Sequence, residues 1–152
     1  MAKNFEVSVS TIGFTQKSAK SFFSMLRAER VTTLIDVRLN TSSQLSGFAK
    51  QCDLIFFLKE LCGIKYVHLL NWAPTQDILE AYKKKEISWD AYQDKFIDLM
   101  ARRMIERDVT RELLDGGCLL CSEHEPHYCH RRLLVEYLRK NTNLDINVKH
   151  LY

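Results

Sequence analysis

At 152 residues, with 46% hydrophobic and 27% charged residues, the chain has the composition of a globular domain that can bury a core without disulfides. A disordered protein is excluded, and the net charge of +3 permits a phosphate-bearing partner without indicating the dense basic stripe of most nucleic-acid binders. No apolar run approaches the roughly 20 residues that span a bilayer, and Met1–Ser10 lacks the apolar segment of a signal peptide, so we expect a cytoplasmic protein with no membrane partner. Its five cysteines are then expected to be reduced thiols, metal ligands or catalytic groups.

The first third of the chain alternates between strand and helix patterns. Phe5–Ile12 is rich in β-branched residues and closes at a glycine, which indicates a strand that ends in a turn. Ser18 is a good helix N-cap, and the apolar spacing behind it predicts a helix to about Arg30. Thr32–Val37 is almost wholly apolar, as is typical of a strand buried on both faces of a parallel sheet. The residues from Arg38 to Phe48 have no regular period and predict a loop.

The remainder of the chain continues the alternation. Further strands are predicted at Lys65–Leu70, Cys118–Ser122 and Asn147–Leu151, and helices at Asp53–Leu61, after Pro74-Thr75, at Trp89–Met100 and at Cys129–Arg139. The Trp89–Met100 stripe is interpreted as core, with no functional role. Strands that alternate with helices predict one α/β domain over residues 1–152, with a mostly parallel sheet between two layers of helices.

Ligands of such sheets bind beyond the carboxyl ends of the strands. This rule selects four positions before any motif is considered, and they are residues 11–13, 36–38, 68–72 and 121–123. The functional site is therefore expected at the edge of the sheet where these positions meet.

The most informative segment is Cys121–Arg132, with the sequence C-S-E-H-E-P-H-Y-C-H-R-R. A helix predicted to begin at about Cys129 offers free N–H groups and partial positive charge, which bind anions and lower the pKa of a thiol. His130 and Arg131 follow directly, and Glu123 stands at the strand end, where it can act as an acid or a base.

Three interpretations of this segment stay open. In the first, Cys129 is a nucleophile and Glu123 or His130 manages protons. In the second, the helix start and Arg131 bind an anionic substrate while the thiol only packs. The third is a metal site built from Cys118, Cys121, His124, His127, Cys129 and His130, with Cys121, Cys129 and His130 as its core. We predict no cofactor and leave this metal site as an alternative. The pair of Cys118 and Cys121 argues against it, because residues three apart on a strand point to opposite faces.

Arg38 follows directly after a buried strand, where a long cation reaches the predicted cleft and suits a phosphate or carboxylate. Asp36 is positioned to orient it. Gly13, after Thr11, permits close approach of a ligand to the backbone, although an ordinary turn explains both residues as well. His68 ends the third strand on the same edge, where a structural role is the plain alternative.

These motifs carry a resemblance that extends over most of the chain. The sequence resembles the domain-of-unknown-function 488 family of small bacterial and archaeal proteins, with T-I-G at Thr11–Gly13, I-D-V-R at Ile35–Arg38, G-F at Gly47-Phe48, G-I-K-Y at Gly63–Tyr66 and L-C-S-E-H-E-P-H-Y-C-H-R at Leu120–Arg131. The resemblance implies a Rossmann-like α/β fold and a family without an established general activity. After Arg38 the family often has a proline and a serine-arginine pair, which this chain lacks.

The sequence thus favours an enzyme that acts on a phosphate-bearing substrate, a nucleotide or a nucleic acid. Glu123, Cys129 and His130 are its predicted catalytic residues; its predicted substrate-binding residues are Thr11, Gly13, Asp36, Arg38, His68 and Arg131. A non-catalytic binding module that uses the same anion pocket, and a metal-binding domain, are the alternatives. The sequence makes no prediction of oligomeric state.

Overall fold

The structure is a computed structural model that describes residues 5–42, 47–123 and 127–152. Five parallel strands within these ranges form one sheet, in the order β3-β2-β4-β1-β5. The strands are β1 (Phe5–Gly13), β2 (Thr33–Asp36), β3 (Lys65–His68), β4 (Gly117–Cys121) and β5 (Leu144–Leu151).

Helices connect the strands. They are α1 (Ala19–Ala28), α2 (Gln51–Phe57, continued by a π-helical turn at Leu58–Cys62), α3 (Gln76–Lys83), α4 (Trp89–Arg103), α5 (Arg111–Leu114) and α6 (His130–Asn141). Short 3-10 turns lie at Gly47–Ala49, Leu70–Trp72 and Ile105–Arg107. In the described part of the chain, none of the helices combines the length and the apolar composition needed to cross a membrane.

The sheet separates two hydrophobic cores, because alternate residues of a strand point to opposite faces. On one face, α1 and α2 pack against side chains such as Leu34 and Leu120. On the other face, α4 and α6 pack against Ile35 and Leu119, their sequence neighbours. β4 is buried at every position, as the continuous apolar pattern of a central strand requires. The predicted single three-layer α/β architecture is confirmed, and the sheet is wholly parallel.

Local signals place several helix ends where we expected them. The Ser18 side chain accepts a hydrogen bond from the backbone N–H of Ser21, which caps α1. Ser88 caps α4 in the same way, and the π-helical turn after α2 ends at Gly63 in the left-handed conformation. These caps satisfy backbone groups that the helices leave without partners.

Two strand boundaries and one short helix illustrate how the structure departs from the prediction. β5 begins at Leu144 and not at Asn147, because it pairs with β1 over eight residues. β3 ends at His68 and not at Leu70, because the chain turns into the 3-10 turn that begins at Leu70. The short helix α5 was not predicted, since its four residues carry too little periodic signal.

The connections after β1 and β4 leave in opposite directions. From β1 the chain passes through α1 and crosses β4 to reach β2, whereas from β4 it passes through α6 and crosses β1 to reach β5. α1 and α6 lie on opposite faces of the sheet. The neighbouring ends of β1 and β4, where Gly13 is level with Cys121, are therefore a topological switch point, the usual place for a ligand.

Candidate functional site

A cleft of about 250 Å³ opens at the carboxyl ends of β2 and β4, on the face covered by α3, α4 and α6. It combines a buried arginine, two cysteines, a histidine and a carboxylate with several tyrosines. Its lining is formed by Thr15, Arg38, Leu39, Asn40, Pro74, Leu79, Tyr82, Lys83, Tyr92, Cys121, Ser122, Glu123, Tyr128, Cys129 and His130.

A larger groove of about 700 Å³ lies on the other side of the sheet, between α1 and α2. Phe23, Phe48, Phe57 and Leu61 make its lining largely apolar. We place the functional site in the smaller cleft, because it lies at the strand ends and holds the nucleophilic and charged groups that chemistry requires.

Arg38 enters the cleft from the end of β2 and is held by Asp36. Its Nε and Nη2 atoms donate to the two carboxylate oxygens over 2.9 and 2.8 Å, and its backbone N–H donates to the same carboxylate over 3.1 Å. Both side chains are almost completely buried. The third guanidinium nitrogen, Nη1, is buried and has no hydrogen-bond partner among the described residues. An acceptor at this position would satisfy a charged donor that is otherwise costly to bury.

Two residues of β3 support this ion pair. The Tyr66 hydroxyl donates to Oδ2 of Asp36 over 2.6 Å, and burial together with this hydrogen bond raises the pKa of Tyr66. Nε2 of His68 lies 2.9 Å from the backbone carbonyl oxygen of Arg38, which can only accept, so the ring donates. His68 thus holds the backbone of Arg38 and does not line the cleft.

His130 begins α6 and crosses to the end of β2. Its Nε2 lies 2.7 Å from the carbonyl oxygen of Val37, so Nε2 carries the proton and Nδ1 keeps a lone pair. Nδ1 lies 4.0 Å from the sulfur of Cys129. Burial lowers the pKa of His130 to about 4. The ring is therefore neutral at pH 7 and can accept a hydrogen bond from a thiol at position 129.

The sulfur atoms of Cys129, the N-cap residue of α6, and Cys121, at the end of β4, are in direct contact, so the pair is placed to close a disulfide on oxidation. Closure requires the backbone to move, because the two Cα atoms lie 7.6 Å apart, beyond the span of about 7 Å that a disulfide bridges. The two side chains meet because Cys121 points to the α6 face of the sheet, whereas Cys118 points to the opposite face and remains a free thiol. Cys52 and Cys62 are also free.

Arg131 lies behind the cleft wall and is fully buried. Its Nη1 donates to the sulfur of Cys121 over 3.1 Å and to the carbonyl oxygen of Glu123. Burial lowers the pKa of this guanidinium to about 10. Arg131 thus supports the end of β4 and does not line the cleft.

Thr11 and Gly13 also lie outside the cleft lining. The Thr11 hydroxyl forms a 2.6 Å hydrogen bond with Nδ1 of His150 on β5. A Cβ atom at Gly13 would lie 1.5 Å from the carbonyl oxygen of Glu123. The backbone that follows β4, and not a ligand, therefore occupies the space that this glycine leaves open. The hydroxyl and the backbone N–H of Thr15 both donate to the carbonyl oxygen of Ser122 and hold this backbone in place.

Glu123 is exposed at the mouth of the cleft, across from the tyrosines of α3 and α4. Burial raises the pKa of Tyr92, and the neighbouring Tyr82 and the negative charge of Glu123 raise it further. Glu123 therefore lies within electrostatic reach of the cleft floor while it keeps contact with water.

The sequence did not identify Tyr82, Lys83 and Tyr92 as site residues. Tyr92 belongs to the stripe that we interpreted as core, and it is buried, but it also forms part of the cleft lining. Tyr82 and Lys83 lie at the end of α3, ten or more residues beyond the strand-end positions 68–72 that we selected. A pair of aromatic and basic residues on an amphipathic helix is too common to indicate a site by itself.

Of the candidate metal ligands, Cys121, Cys129 and His130 line the cleft, whereas Cys118 lies on the other face of the sheet. Among the described residues, no group of three or more His, Cys, Asp and Glu side chains is arranged to hold a metal ion. His124 lies outside the described residues, and His127 is exposed.

Comparison with known proteins identifies a family and no close relative. The model of the family described as "Domain of unknown function DUF488" matches residues 18–138, which is more than half of the chain. No curated protein and no solved structure matches the chain.

Proposed function

We propose that this chain, a member of the DUF488 family, is an enzyme that acts on a phosphate-bearing substrate, either a nucleotide or the end of a nucleic acid. The reaction takes place in the cleft at the ends of β2 and β4. Arg38 binds the anion, and Glu123, Cys129 and His130 serve the chemistry.

Arg38 is the observation that carries the proposal. A guanidinium that is 3% exposed and packs over the Phe14 ring, with two nitrogens fixed by Asp36 and a third that has no hydrogen-bond partner among the described residues, keeps one donor group for an anionic oxygen. Lys83 adds a second positive charge to the lining. Phosphate matches such a site, because one of its oxygens can accept from Nη1 while the others remain available to Lys83 and to water.

The catalytic roles follow from the surroundings of each group. Reduced Cys129 is the nucleophile, and neutral His130 orients its thiol through the lone pair of Nδ1. As the sulfur bonds to phosphorus, the bond from phosphorus to the leaving-group oxygen breaks, and the thiol proton passes through Glu123 to that oxygen. Glu123 is open to water at the cleft mouth, where it exchanges protons with the leaving group or with an attacking water molecule. A hydrolase or a transferase fits this arrangement.

Phosphate binding is tested first with Arg38→Lys, which keeps the charge near Asp36 but loses the planar fork. Isothermal titration with inorganic phosphate and with nucleoside monophosphates should show at least about tenfold weaker binding by this variant, since it lacks the Nη1 donor and a hydrogen bond between charged groups contributes on the order of 1.5–3 kcal/mol. Arg102→Ala is the matched control, because Arg102 is an exposed arginine paired with Asp98 on α4. Equal affinities of the wild type and Arg38→Lys would reject the anion site.

Catalysis is tested with Cys129→Ser and Glu123→Gln on a panel of nucleotides and of 5′- and 3′-phosphorylated DNA and RNA. Both variants should lose the activity that the reduced wild type shows. Cys52→Ser and Glu60→Gln are controls on α2 and its π-helical extension, which pack on the other face of the sheet. Retention of wild-type rates by both cleft variants would rule out the catalytic assignment.

The disulfide favours a second candidate function. A sulfur of Cys129 that is bonded to Cys121 is not a nucleophile, so the same cleft in the oxidised protein is suited to non-catalytic recognition of a nucleotide or nucleic acid. This binding module predicts salt-dependent binding that needs Arg38 and is the same with and without reductant.

A cytoplasmic location is part of the proposal, because a thiol nucleophile needs a reducing compartment. The free thiols of Cys52, Cys62 and Cys118 are compatible with it. Fractionation of cells that produce the tagged protein tests this location directly.

A further inference from the structure

Three tyrosines form one side of the cleft, and we call Tyr82, Tyr92 and Tyr128 the aromatic wall. Trp89 holds all three, with ring centroids 5.5 Å from Tyr82, 5.2 Å from Tyr92 and 5.4 Å from Tyr128. The guanidinium of Arg132 lies 6.0 Å from the centroid of the Trp89 ring. The aromatic wall is therefore a packed arrangement of rings, in which α3 supplies Tyr82, α4 supplies Tyr92 and the residues before α6 supply Tyr128.

The members of the wall differ in exposure. Tyr92 is 2% exposed and forms the floor, whereas Tyr82 is half-buried and Tyr128 is 55% exposed. A large aromatic side chain that remains this exposed, next to a cleft and already fixed by a neighbour, offers a ring face for stacking at little further cost in conformational entropy. This geometry suits a flat, apolar ligand.

Two cationic residues also belong to the cleft lining. Arg38 is nine-tenths buried or more, and its Nη1 has no acceptor in the described part of the chain, while Lys83 lies beside Tyr82 at the end of α3. One cleft thus presents tyrosine rings to a planar group and a guanidinium to an anion. A nucleobase joined to a phosphate through a sugar carries both groups in one molecule.

We propose that the cleft recognises the base of its substrate as well as the phosphate, with the base stacked on Tyr82 and Tyr128. The inference rests on the phosphate-binding role of Arg38 in the proposed function. A volume of about 250 Å³ is slightly below the roughly 300–1,000 Å³ of most small-molecule sites, so the cleft accepts no more than one nucleotide unit. With a net charge of +3, the chain does not have the dense basic stripe with which proteins bind a long nucleic-acid strand. This favours a free nucleotide or a terminal nucleotide over an internal one.

The experiment compares four ligands by isothermal titration, with Trp89 fluorescence as a second readout. They are inorganic phosphate, ribose 5-phosphate, adenosine 5′-monophosphate and a 5′-phosphorylated single-stranded oligonucleotide. Because stacking of a base on an aromatic side chain is worth roughly 5- to 150-fold in affinity, the monophosphate should bind more tightly than ribose 5-phosphate by a factor in that range. The oligonucleotide arm distinguishes a nucleic-acid end from a free nucleotide.

The variants Tyr128→Ala and Tyr128→Phe identify the residue responsible. Tyr128→Ala should bring the affinity for the nucleotide down to that for ribose 5-phosphate and leave phosphate binding unchanged, whereas Tyr128→Phe should keep the wild-type affinity. Tyr82→Leu should have the same effect as Tyr128→Ala. Tyr152→Ala, which removes an exposed tyrosine at the end of the chain, is the control.

Two negative results have different meanings. If ribose 5-phosphate binds as tightly as the nucleotide and Tyr128→Ala changes neither, the base-binding role is wrong while the phosphate site stands. If none of the four ligands binds, both the base-binding role and the proposed function are wrong.

Discussion

His130, the first residue of α6, donates a hydrogen bond from Nε2 to the carbonyl oxygen of Val37 over 2.7 Å. The bond connects the two elements that supply Cys129 and Arg38 to the cleft. It also determines the tautomer, because a carbonyl oxygen accepts only, so the lone pair of Nδ1 is left to face Cys129.

Acidification should destabilise the protein through His130. Burial lowers its pKa to about 4 in the folded chain, against 6.5 for an exposed histidine, so between these values the unfolded chain binds a proton that the folded chain does not. The free energy of unfolding therefore falls as the pH drops from about 6.5 to about 4, by on the order of 3 kcal/mol in total. Urea unfolding curves at pH 7, 5.5 and 4.5 measure this effect.

His130→Gln is the matched variant, because its side-chain amide can donate to Val37 but does not titrate. The variant should lose less stability than the wild type over the same pH range. Identical pH dependence in both proteins would mean that His130 does not remain neutral on folding.

Arg38→Ala should destabilise the protein by about 3–5 kcal/mol, because it leaves the buried carboxylate of Asp36 without its cation. The double variant Asp36→Asn/Arg38→Met removes both charges and should recover a large part of that loss. Chemical denaturation of both variants measures the difference. A double variant no more stable than Arg38→Ala would contradict the interpretation that the unpaired charge causes the loss.

Gly13→Ala should destabilise the protein by more than about 2 kcal/mol, because the added methyl group would overlap the carbonyl oxygen of Glu123 and collide with Arg131. The backbone after β4 would have to move away from β1. Gly47→Ala is the control: none of the residues that the structure describes lies within 4 Å of a Cβ built there, so its effect should stay within about 0.5 kcal/mol. Thermal unfolding of the two variants gives the comparison, and equal midpoints would refute the close contact at Gly13.

The activity of the wild type should require a reductant, because the disulfide with Cys121 removes the thiol that we propose as the nucleophile. Cys121→Ser prevents the disulfide, so this variant should be active with or without reductant. Intact mass and alkylation of Cys129 follow the thiol directly, and Cys52→Ser, which leaves the pair in place, should behave as the wild type. A wild type that is equally active in both conditions would argue against Cys129 as the nucleophile.

Much of the site could be predicted because parallel strands bring their carboxyl ends to one edge of the sheet. The strand pattern placed Arg38, Glu123, Cys129 and His130 at that edge, and the structure brings these four residues into one cleft lining. The pattern could not show that His130 lines the cleft whereas its neighbour Arg131 lies behind the cleft wall. The rotation of a helix against its neighbours decides which of two consecutive residues faces the cleft and which faces the sheet.

Sequence periodicity by itself determined the order and type of the main strands and helices and the edge of the sheet on which the chemistry lies, because it reports which face of each element is apolar. Only the tertiary structure decided what covers that edge. The packing of α3 and α4 on the sheet brings Tyr82, Lys83 and Tyr92 to the cleft, and the contact between the ends of β1 and β4 removes Gly13 from it. These relationships join residues far apart in the chain, and they depend on strand order and helix packing, which a local pattern does not encode.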